Sequence, residues 1–356
     1  MTQAETATDA IVYVTNAGDG TIGSYRLDRQ AQTLTPLATT AAADNVMPLA
    51  VSPDRRYLYA AIRSEPLRVL SYRIEADGAL TPLGSGALEG SMAYIATDRS
   101  GRYLLAASYG GNLVSISPIG EDGVAGDATQ TRESGSRAHA ILATPDNRHV
   151  FATHLGDDCL GQYRLEDGAL VPNDPATVAT EPGTGPRHFV FSPCGRFVYV
   201  LGEFSATVTT YALDADRGTL TQIGVCDALP EGSNLAPGMP RESIPDGDDT
   251  PRIWAADLHI TPDGRYLYLS ERTSSTLSTL RADPESGALQ FVGNQPTVKQ
   301  PRGFEVDPLG QYLIAAGELS DHLSCYRIDS ASGVLTHLQD VPAGTKANWI
   351  EIVPLG

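Results

Sequence analysis

The sequence predicts an all-β protein, a seven-bladed β-propeller of four-stranded antiparallel blades. A short aromatic-rich strand pattern, usually preceded by Ser/Thr-Pro-Asp and a Gly or Arg, recurs seven times along the 356 residues. The first strand residues of the seven copies are Ile11, Tyr57, Tyr103, His149, Phe197, Tyr266 and Tyr312. Their steps are 46, 46, 46, 48, 69 and 46 residues, and a fixed period in the forties without helical periodicity is typical of propellers. A many-stranded β-sandwich, the alternative, gives no reason for a constant step.

The second repeat shows the predicted order of elements within one blade. Its four strands are predicted at 47–52, 57–62, 67–76 and 79–86. Pro53 and Asp54 make the first turn, because Pro presets φ and Asp caps the bend. The Asp77-Gly78 pair between the last two strands is a hairpin turn signal.

The two ends of the chain are predicted to share one blade. AIVYVTN (10–16) resembles a second strand with no innermost strand before it, and ANWIEIVP (347–354) resembles an innermost strand with nothing after it. Pairing them closes the ring and removes open sheet edges, which are otherwise association sites.

Composition narrows the class of protein. The 35 glycines and 24 prolines suit many tight turns, and a net charge of −18 argues against a nucleic-acid-binding protein. The first ten residues, MTQAETATDA, are acidic and have no apolar core, so we expect no signal peptide. No apolar stretch of about 18 residues occurs, and we expect a cytoplasmic protein, a monomer or weak homodimer, with no membrane partner. The four cysteines are scattered without metal-ligand spacing, which favours free thiols.

One segment breaks the repeat. We expect a flexible tail at 1–9 and a single propeller domain at 10–356, with a long loop at about 226–252. The step of 69 places the excess around 229–252, which is rich in Pro, Gly, Ser and Asp. Long loops in compact folds are often functional, so this one is either a lid or a passive insertion.

Equal offsets in the repeat predict rings of residues around the propeller axis. The first ring, at the entrance of the innermost strand, is Met47, Ala93, His139, Arg187, Ala256, Arg302 and Asn348, and the next position adds His188 and Asp257. The second ring, in the loop that leaves strand two, is Ala17, Arg63, Tyr109, Leu155, Glu203, Arg272 and Glu318. Strands one and two are antiparallel, so both rings are predicted to converge on one face.

This convergence predicts a pocket for an anion. Four arginines occupy the two rings of an acidic protein, and arginine holds carboxylate or phosphate through two hydrogen bonds while remaining charged. His139 and Glu203 offer groups for proton transfer. The alternative is structural, because Arg and Glu at blade junctions also form ion pairs between blades. No nucleophile elbow, zinc-protease motif, P-loop or CxxC is present, and we expect neither a cofactor nor a metal.

Four segments resemble a known family. GPRHFVFSP (185–193), IWAADLHITPDGRYLY (253–268), SERTSS (270–275) and QPRGFEVDPLGQYLIAAG (300–317) are similar to the bacterial seven-bladed 6-phosphogluconolactonases. That family includes the fungal 3-carboxy-cis,cis-muconate lactonizing enzymes. The similarity extends over 10–354, although the loop at 229–252 looks longer than in typical bacterial members.

The resemblance implies a site and a reaction. Matched by motif, it implies catalytic residues at His139, Arg187, Glu203 and Arg272, either Glu203 or His139 being the base that activates water. The two rings add the predicted substrate-binding residues Arg63, Tyr109, His188, Asp257, Arg302 and Glu318. The implied activity is hydrolysis of a small anionic sugar lactone, most simply 6-phospho-D-glucono-1,5-lactone. The alternatives are an unphosphorylated glucaro- or galactaro-lactonase, a muconate cycloisomerase and a non-enzymatic binding platform.

Overall fold

The computed structural model describes residues 9–355. Most of the predicted tail at 1–9, namely residues 1–8, lies outside the described residues, as does Gly356. Asp9 itself belongs to the fold, since its carboxylate accepts a 2.9 Å hydrogen bond from Arg26 Nε. No helix in this described part has the length and apolar character needed to cross a membrane.

Seven four-stranded antiparallel sheets make up residues 9–355, which confirms the predicted seven-bladed propeller. The strands are β1 (Ala10–Asn16), β2 (Thr21–Asp28), β3 (Thr33–Ala41); β4 (Val46–Val51), β5 (Tyr57–Ile62), β6 (Arg68–Ile74), β7 (Leu80–Ala87); β8 (Met92–Thr97), β9 (Tyr103–Ser108), β10 (Leu113–Pro118), β11 (Gln130–Glu133); β12 (Ala138–Ala143), β13 (His149–His154), β14 (Cys159–Glu166), β15 (Ala169–Ala179); β16 (Pro186–Phe191), β17 (Phe197–Gly202), β18 (Thr207–Asp214), β19 (Thr219–Asp227); β20 (Ala255–Ile260), β21 (Tyr266–Glu271), β22 (Thr276–Ala282), β23 (Leu289–Pro296); β24 (Pro301–Val306), β25 (Tyr312–Gly317), β26 (His322–Ile328), β27 (Leu335–Pro342); and β28 (Ala347–Pro354). Two three-residue 3₁₀ turns span Leu155–Asp157 and Arg241–Ser243.

The predicted clasp closes the ring. The C-terminal strand β28 is the innermost strand of the first blade and pairs with β1, where Ile11 lies opposite Val353 and Val14 opposite Ile350. The long loop joins β19 of one blade to β20 of the next.

The recurrent Pro-Asp turn is stabilised by its own side chains. In the sixth copy Thr261 Oγ1 donates to Asp263 Oδ1 at 2.6 Å and accepts from Tyr266 N at 3.1 Å. Gly264 has a φ of +74°, a conformation that glycine adopts without steric cost. The motif thus fixes where strand one stops and strand two begins.

Apolar clusters between neighbouring blades form the core. Buried tyrosines of strand two reach across these junctions: the hydroxyls of Tyr13, Tyr59 and Tyr268 donate to backbone carbonyls of hairpin glycines in the next blade, at 2.8–3.1 Å. Each junction therefore gains buried aromatic area while the hydroxyl remains hydrogen-bonded.

Each of the seven innermost strands within residues 9–355 carries a β-bulge near its start. In β16, for example, Pro186 lies opposite Gly202 but Phe189 lies opposite Val200, so Arg187 and His188 share one partner position. The corresponding register shifts occur in β4, β8, β12, β20, β24 and β28. The bulge positions coincide with the first predicted ring, and bulges re-aim side chains in this way next to functional sites.

Candidate functional site

A cavity of about 300 Å³ lies at the face of the ring where the innermost strands begin. Seven of the ten predicted site residues line it, namely His139, Arg187, Glu203, Arg272, Arg63, Tyr109 and Arg302. The structure thus brings together the four residues that the family resemblance implied as catalytic. Their chemical roles stay a prediction.

Backbone hydrogen bonds explain why the two rings converge. The N–H of Glu203 donates to the carbonyl of Gly185 at 2.8 Å, and that of Arg272 donates to Trp254 at 3.1 Å. In both cases the acceptor precedes the innermost strand of the same blade. The loop leaving strand two is therefore fastened beside the entrance of strand one.

Glu203 is clamped between two arginines from different blades. Its Oε1 accepts a hydrogen bond from Arg272 Nη2, and its Oε2 lies 3.2 Å from Arg187 Nε. Arg187 Nη1 also donates to the carbonyl of Ala256, and Arg272 Nε donates to that of Trp254 at 3.0 Å. Both guanidinium groups are buried, so these contacts fix their positions.

Burial and neighbouring charge set the ionisation of this clamp. Burial raises the pKa of the Glu203 carboxyl, but Arg272 and Arg187 outweigh it and hold that pKa below its ordinary value. Burial lowers the pKa of Arg187 to about 9, which leaves it protonated at neutral pH. The clamp is thus an ionised carboxylate between two cations, with one net positive charge.

His139 lies beside the clamp as a buried, neutral imidazole. Burial, followed by the positive charge of Arg187, lowers the pKa of His139 well below its usual value. The ring packs edge-on against Tyr109 at 5.9 Å and His188 at 5.2 Å between centroids. Its Nδ1 has no hydrogen-bond partner within the described residues. The uncharged ring retains a lone pair that can accept a proton.

Among the cavity arginines that belong to the repeat, Arg63 and Arg302 have less neutralised charge than Arg187 and Arg272, which share Glu203. No carboxylate within residues 9–355 lies within 4.0 Å of the Arg63 guanidinium, whose Nε donates to Ser91 Oγ at 2.9 Å. Arg302 Nη1 lies 3.7 Å from Glu318 Oε1, beyond hydrogen-bonding distance. Both arginines also line a neighbouring depression of about 340 Å³. An anion in that depression would contact them from the same face of the ring.

The long loop contributes cavity residues that the repeat comparison missed. Met239, Pro240, Arg241 and Glu242 line the cavity. The Arg241 guanidinium lies 4.5 Å from the ring centroid of Trp254, another lining residue that was not predicted.

An ion pair ties this loop to another blade, since Glu242 binds Arg137. The loop therefore forms part of the cavity wall, and its role as a lid stays a prediction. The contribution of the loop to the cavity could not be predicted by comparing equivalent repeat positions, because the loop lies outside the repeat. Its Pro/Gly-rich composition was the only signal in the sequence.

Three predicted substrate-binding residues do not line the cavity. His188 and Asp257 line a second space of about 320 Å³ further along the channel. The bulge turns consecutive side chains to different sides, so only the first of each pair, such as Arg187, reaches the mouth. Glu318 lines the neighbouring depression with Arg302 instead.

Another concavity, of about 1050 Å³, lies at the opposite face between the turns at Pro262 and Pro308. None of the predicted site residues lines it, and its Arg29 is paired with Asp307 at 2.6 Å. Among residues 9–355, no group of three or more His, Cys, Asp or Glu side chains has the arrangement to hold a metal ion.

Comparisons with known proteins agree with this architecture. The family model described as "Lactonase, 7-bladed beta-propeller" matches residues 10–352. A 6-phosphogluconolactonase of Pectobacterium carotovorum is 40% identical over 298 residues, covering 83% of this chain and 84% of that protein. One of Serratia proteamaculans is 37% identical over 298 residues, covering 83% and 85%. The structure of the periplasmic gluconolactonase of Pseudomonas aeruginosa aligns with a TM-score of 0.86 at 28% identity, covering 98% of this chain and 100% of that one.

Proposed function

The chain belongs to the family of seven-bladed β-propeller lactonases, and on that premise we propose that it hydrolyses 6-phospho-D-glucono-1,5-lactone to 6-phosphogluconate. Relatives that are 36% and 40% identical bear the name 6-phosphogluconolactonase. The observation that carries the proposal for this chain is the pair of incompletely neutralised arginines, Arg63 and Arg302, beside the clamped carboxylate.

In this proposal the phosphate binds to Arg63 and Arg302. Arg187 and Arg272 already share Glu203, so an added dianion gains more from Arg63 and Arg302, whose charge is less compensated. Arginine forms two parallel hydrogen bonds to phosphate oxygens. The phosphate would therefore fix one end of the substrate and direct the lactone ring toward the clamp.

His139 is the proposed general base. It removes a proton from water as the water oxygen attacks the lactone carbonyl, and the ring C–O bond then breaks. The imidazolium returns the proton to the departing alkoxide oxygen, and the carboxylic acid formed releases a proton to solvent. Arg187 and Arg272 stabilise the negative charge that develops on the carbonyl oxygen.

Glu203 has a different role in this scheme. Both of its oxygens face arginine nitrogens, so neither oxygen is free to accept a proton from water. We assign it to orienting Arg187 and Arg272. The opposite assignment, with Glu203 as the base, remains the alternative that kinetics of substituted enzymes decide.

The test is a substrate comparison. The purified protein is assayed against freshly prepared 6-phosphogluconolactone, glucono-1,5-lactone and the glucaro- and galactaro-lactones, with spontaneous hydrolysis subtracted. The proposal expects the highest kcat/KM for the phosphorylated lactone. Equal or higher kcat/KM for an unphosphorylated lactone would refute the phosphate assignment, and no acceleration of any lactone would refute lactone hydrolysis.

A further inference from the structure

Two buried imidazoles, those of His139 and His188, pack against each other beside the cavity, and each has one ring nitrogen without a hydrogen-bond partner within residues 9–355. His139 and His188 are 4% and 3% exposed, and their ring centroids lie 5.2 Å apart. His139 Nδ1 and His188 Nε2 are both buried and have no hydrogen-bond partner within residues 9–355. Burying a nitrogen without a hydrogen-bond partner lowers the stability of the folded state. Two such nitrogens on neighbouring rings therefore need a common explanation.

The other nitrogen of His188 is fixed by a carboxylate. His188 Nδ1 lies 2.7 Å from Asp257 Oδ1. The same carboxylate accepts hydrogen bonds from the backbone N–H groups of Leu258 at 3.0 Å and Phe304 at 3.1 Å, and Oδ2 lies 3.3 Å from His259 Nε2. Burial opposes ionisation of Asp257, but His259 and His188 outweigh it and hold its pKa well below the usual value. Asp257 is therefore an acceptor only.

These contacts determine the tautomer of both rings. An ionised Asp257 requires the proton of neutral His188 to be on Nδ1, which leaves Nε2 as a lone-pair acceptor. The other unpartnered nitrogen of this ring pair, Nδ1 of His139, can supply the complementary donor. With its proton on Nδ1, His139 presents the lone pair of Nε2, the state required of a base.

We propose that Asp257, His188 and His139 form a relay in which the first two are positioning residues that hold His139 in its basic tautomer. The link between the rings is a hydrogen bond from His139 Nδ1 to His188 Nε2, completed by a small ring rotation or one bridging water. When His139 gains a proton on Nε2, its Nδ1–H is stabilised by His188 and, through it, by Asp257. The relay rests on the proposed lactone hydrolysis, with His139 as base.

The fold supports this assembly from three adjacent innermost strands. His139, His188 and Asp257 come from the bulges of β12, β16 and β20. The His188 ring packs edge-on against Tyr94 at 5.1 Å and Trp349 at 5.8 Å. Its orientation is therefore set by packing as well as by Asp257.

Asp257→Asn is the main test. An amide facing His188 favours the opposite tautomer, which turns an N–H toward His139 and removes its acceptor. We expect kcat to fall about 100-fold while KM stays within about threefold, since ground-state binding is untouched. His188→Phe keeps the aromatic packing, removes both nitrogens and should produce a loss of the same order.

Two measurements separate positioning from general damage. Because the relay acts only through His139, adding Asp257→Asn to His139→Asn should cause no further loss of kcat. Nitrogen-15 NMR of histidine-labelled protein should show His139 and His188 both protonated on Nδ1. Glu351→Gln, which changes another carboxylate of the same channel space, is the matched control and should leave kcat unchanged.

The outcomes are distinct for the relay and for the activity. Multiplicative loss in the double variant, near-normal kcat in both Asp257→Asn and His188→Phe, or a His139 protonated on Nε2 would each overturn the relay. The NMR result decides the hydrogen-bond arrangement even if the wild-type protein hydrolyses no lactone, an outcome that would refute the proposed function instead. Thermal unfolding of each variant checks that a lost activity is not a lost fold.

Discussion

Replacing Arg302 by Gln should impair turnover of a phosphorylated lactone far more than turnover of its unphosphorylated counterpart. Arg302 lies at the cavity mouth, and its closest carboxylate within residues 9–355, Glu318, is 3.7 Å away. The charge is thus only partly offset before substrate binds. A hydrogen bond to a charged group contributes about 1.5–3 kcal/mol. With about 2 kcal/mol left after competition from Glu318, kcat/KM should fall about 30-fold.

The assay compares initial rates on 6-phosphogluconolactone and glucono-1,5-lactone by proton NMR, with the uncatalysed rate subtracted. We expect the 30-fold loss for the first substrate and a change within about threefold for the second, because only the first has a phosphate to lose its partner. Arg281→Gln removes an exposed arginine far from the cavity and is the control. Equal losses on both substrates, or no loss on the phosphorylated one, would refute the reasoning.

The remaining predictions concern the base, the lid and stability. His139→Asn should lower kcat about 100-fold or more at nearly constant KM. Glu203→Gln should lower kcat and also raise KM, because Arg187 and Arg272 lose their shared partner. Full steady-state activity in both variants would contradict the water-activation mechanism. Arg241→Ala should raise KM for the phosphorylated lactone about fivefold by removing a cation from the loop, and an unchanged KM would argue against the lid. Burial lowers the pKa of His154 to about 4, so the unfolded chain takes up a proton below about pH 6.5 that the folded chain does not. Its contribution is therefore fully present above pH 6.5 and falls as the pH drops. The loss of unfolding free energy from pH 7 to pH 5, measured by urea unfolding, should be about 2 kcal/mol smaller in His154→Gln than in the unsubstituted protein. An identical pH dependence in that variant would contradict it.

Strand positions followed from local pattern. The predicted strands 57–62 and 347–354 coincide with β5 and β28, while 79–86 differs from β7 by one residue at each end. Alternation of apolar residues and Pro-Asp turns act over a few residues, so they are visible in the chain. Strand ends depend on the pairing partner and are less well defined by pattern.

The candidate site was predictable where the repeat extends and not elsewhere. Arg187 and Glu203 were found because equal offsets place equivalent positions around one axis. Arg241 and Trp254 were missed because the insertion interrupts the period. Asp257 was expected near the mouth but lines the space further along the channel, because a β-bulge decides which of two consecutive side chains faces the cavity.

By itself, the sequence determined the number of blades, the closure of the ring and the set of polar residues gathered at one face, because all three follow from repetition along the chain. Only the tertiary structure decided which of those residues form ion pairs with each other. Glu203 partly neutralises Arg187 and Arg272, while Arg63 and Arg302 do not share that carboxylate. Ion pairing depends on distances of a few ångströms between side chains of different blades, and such distances are settled only when the blades pack together.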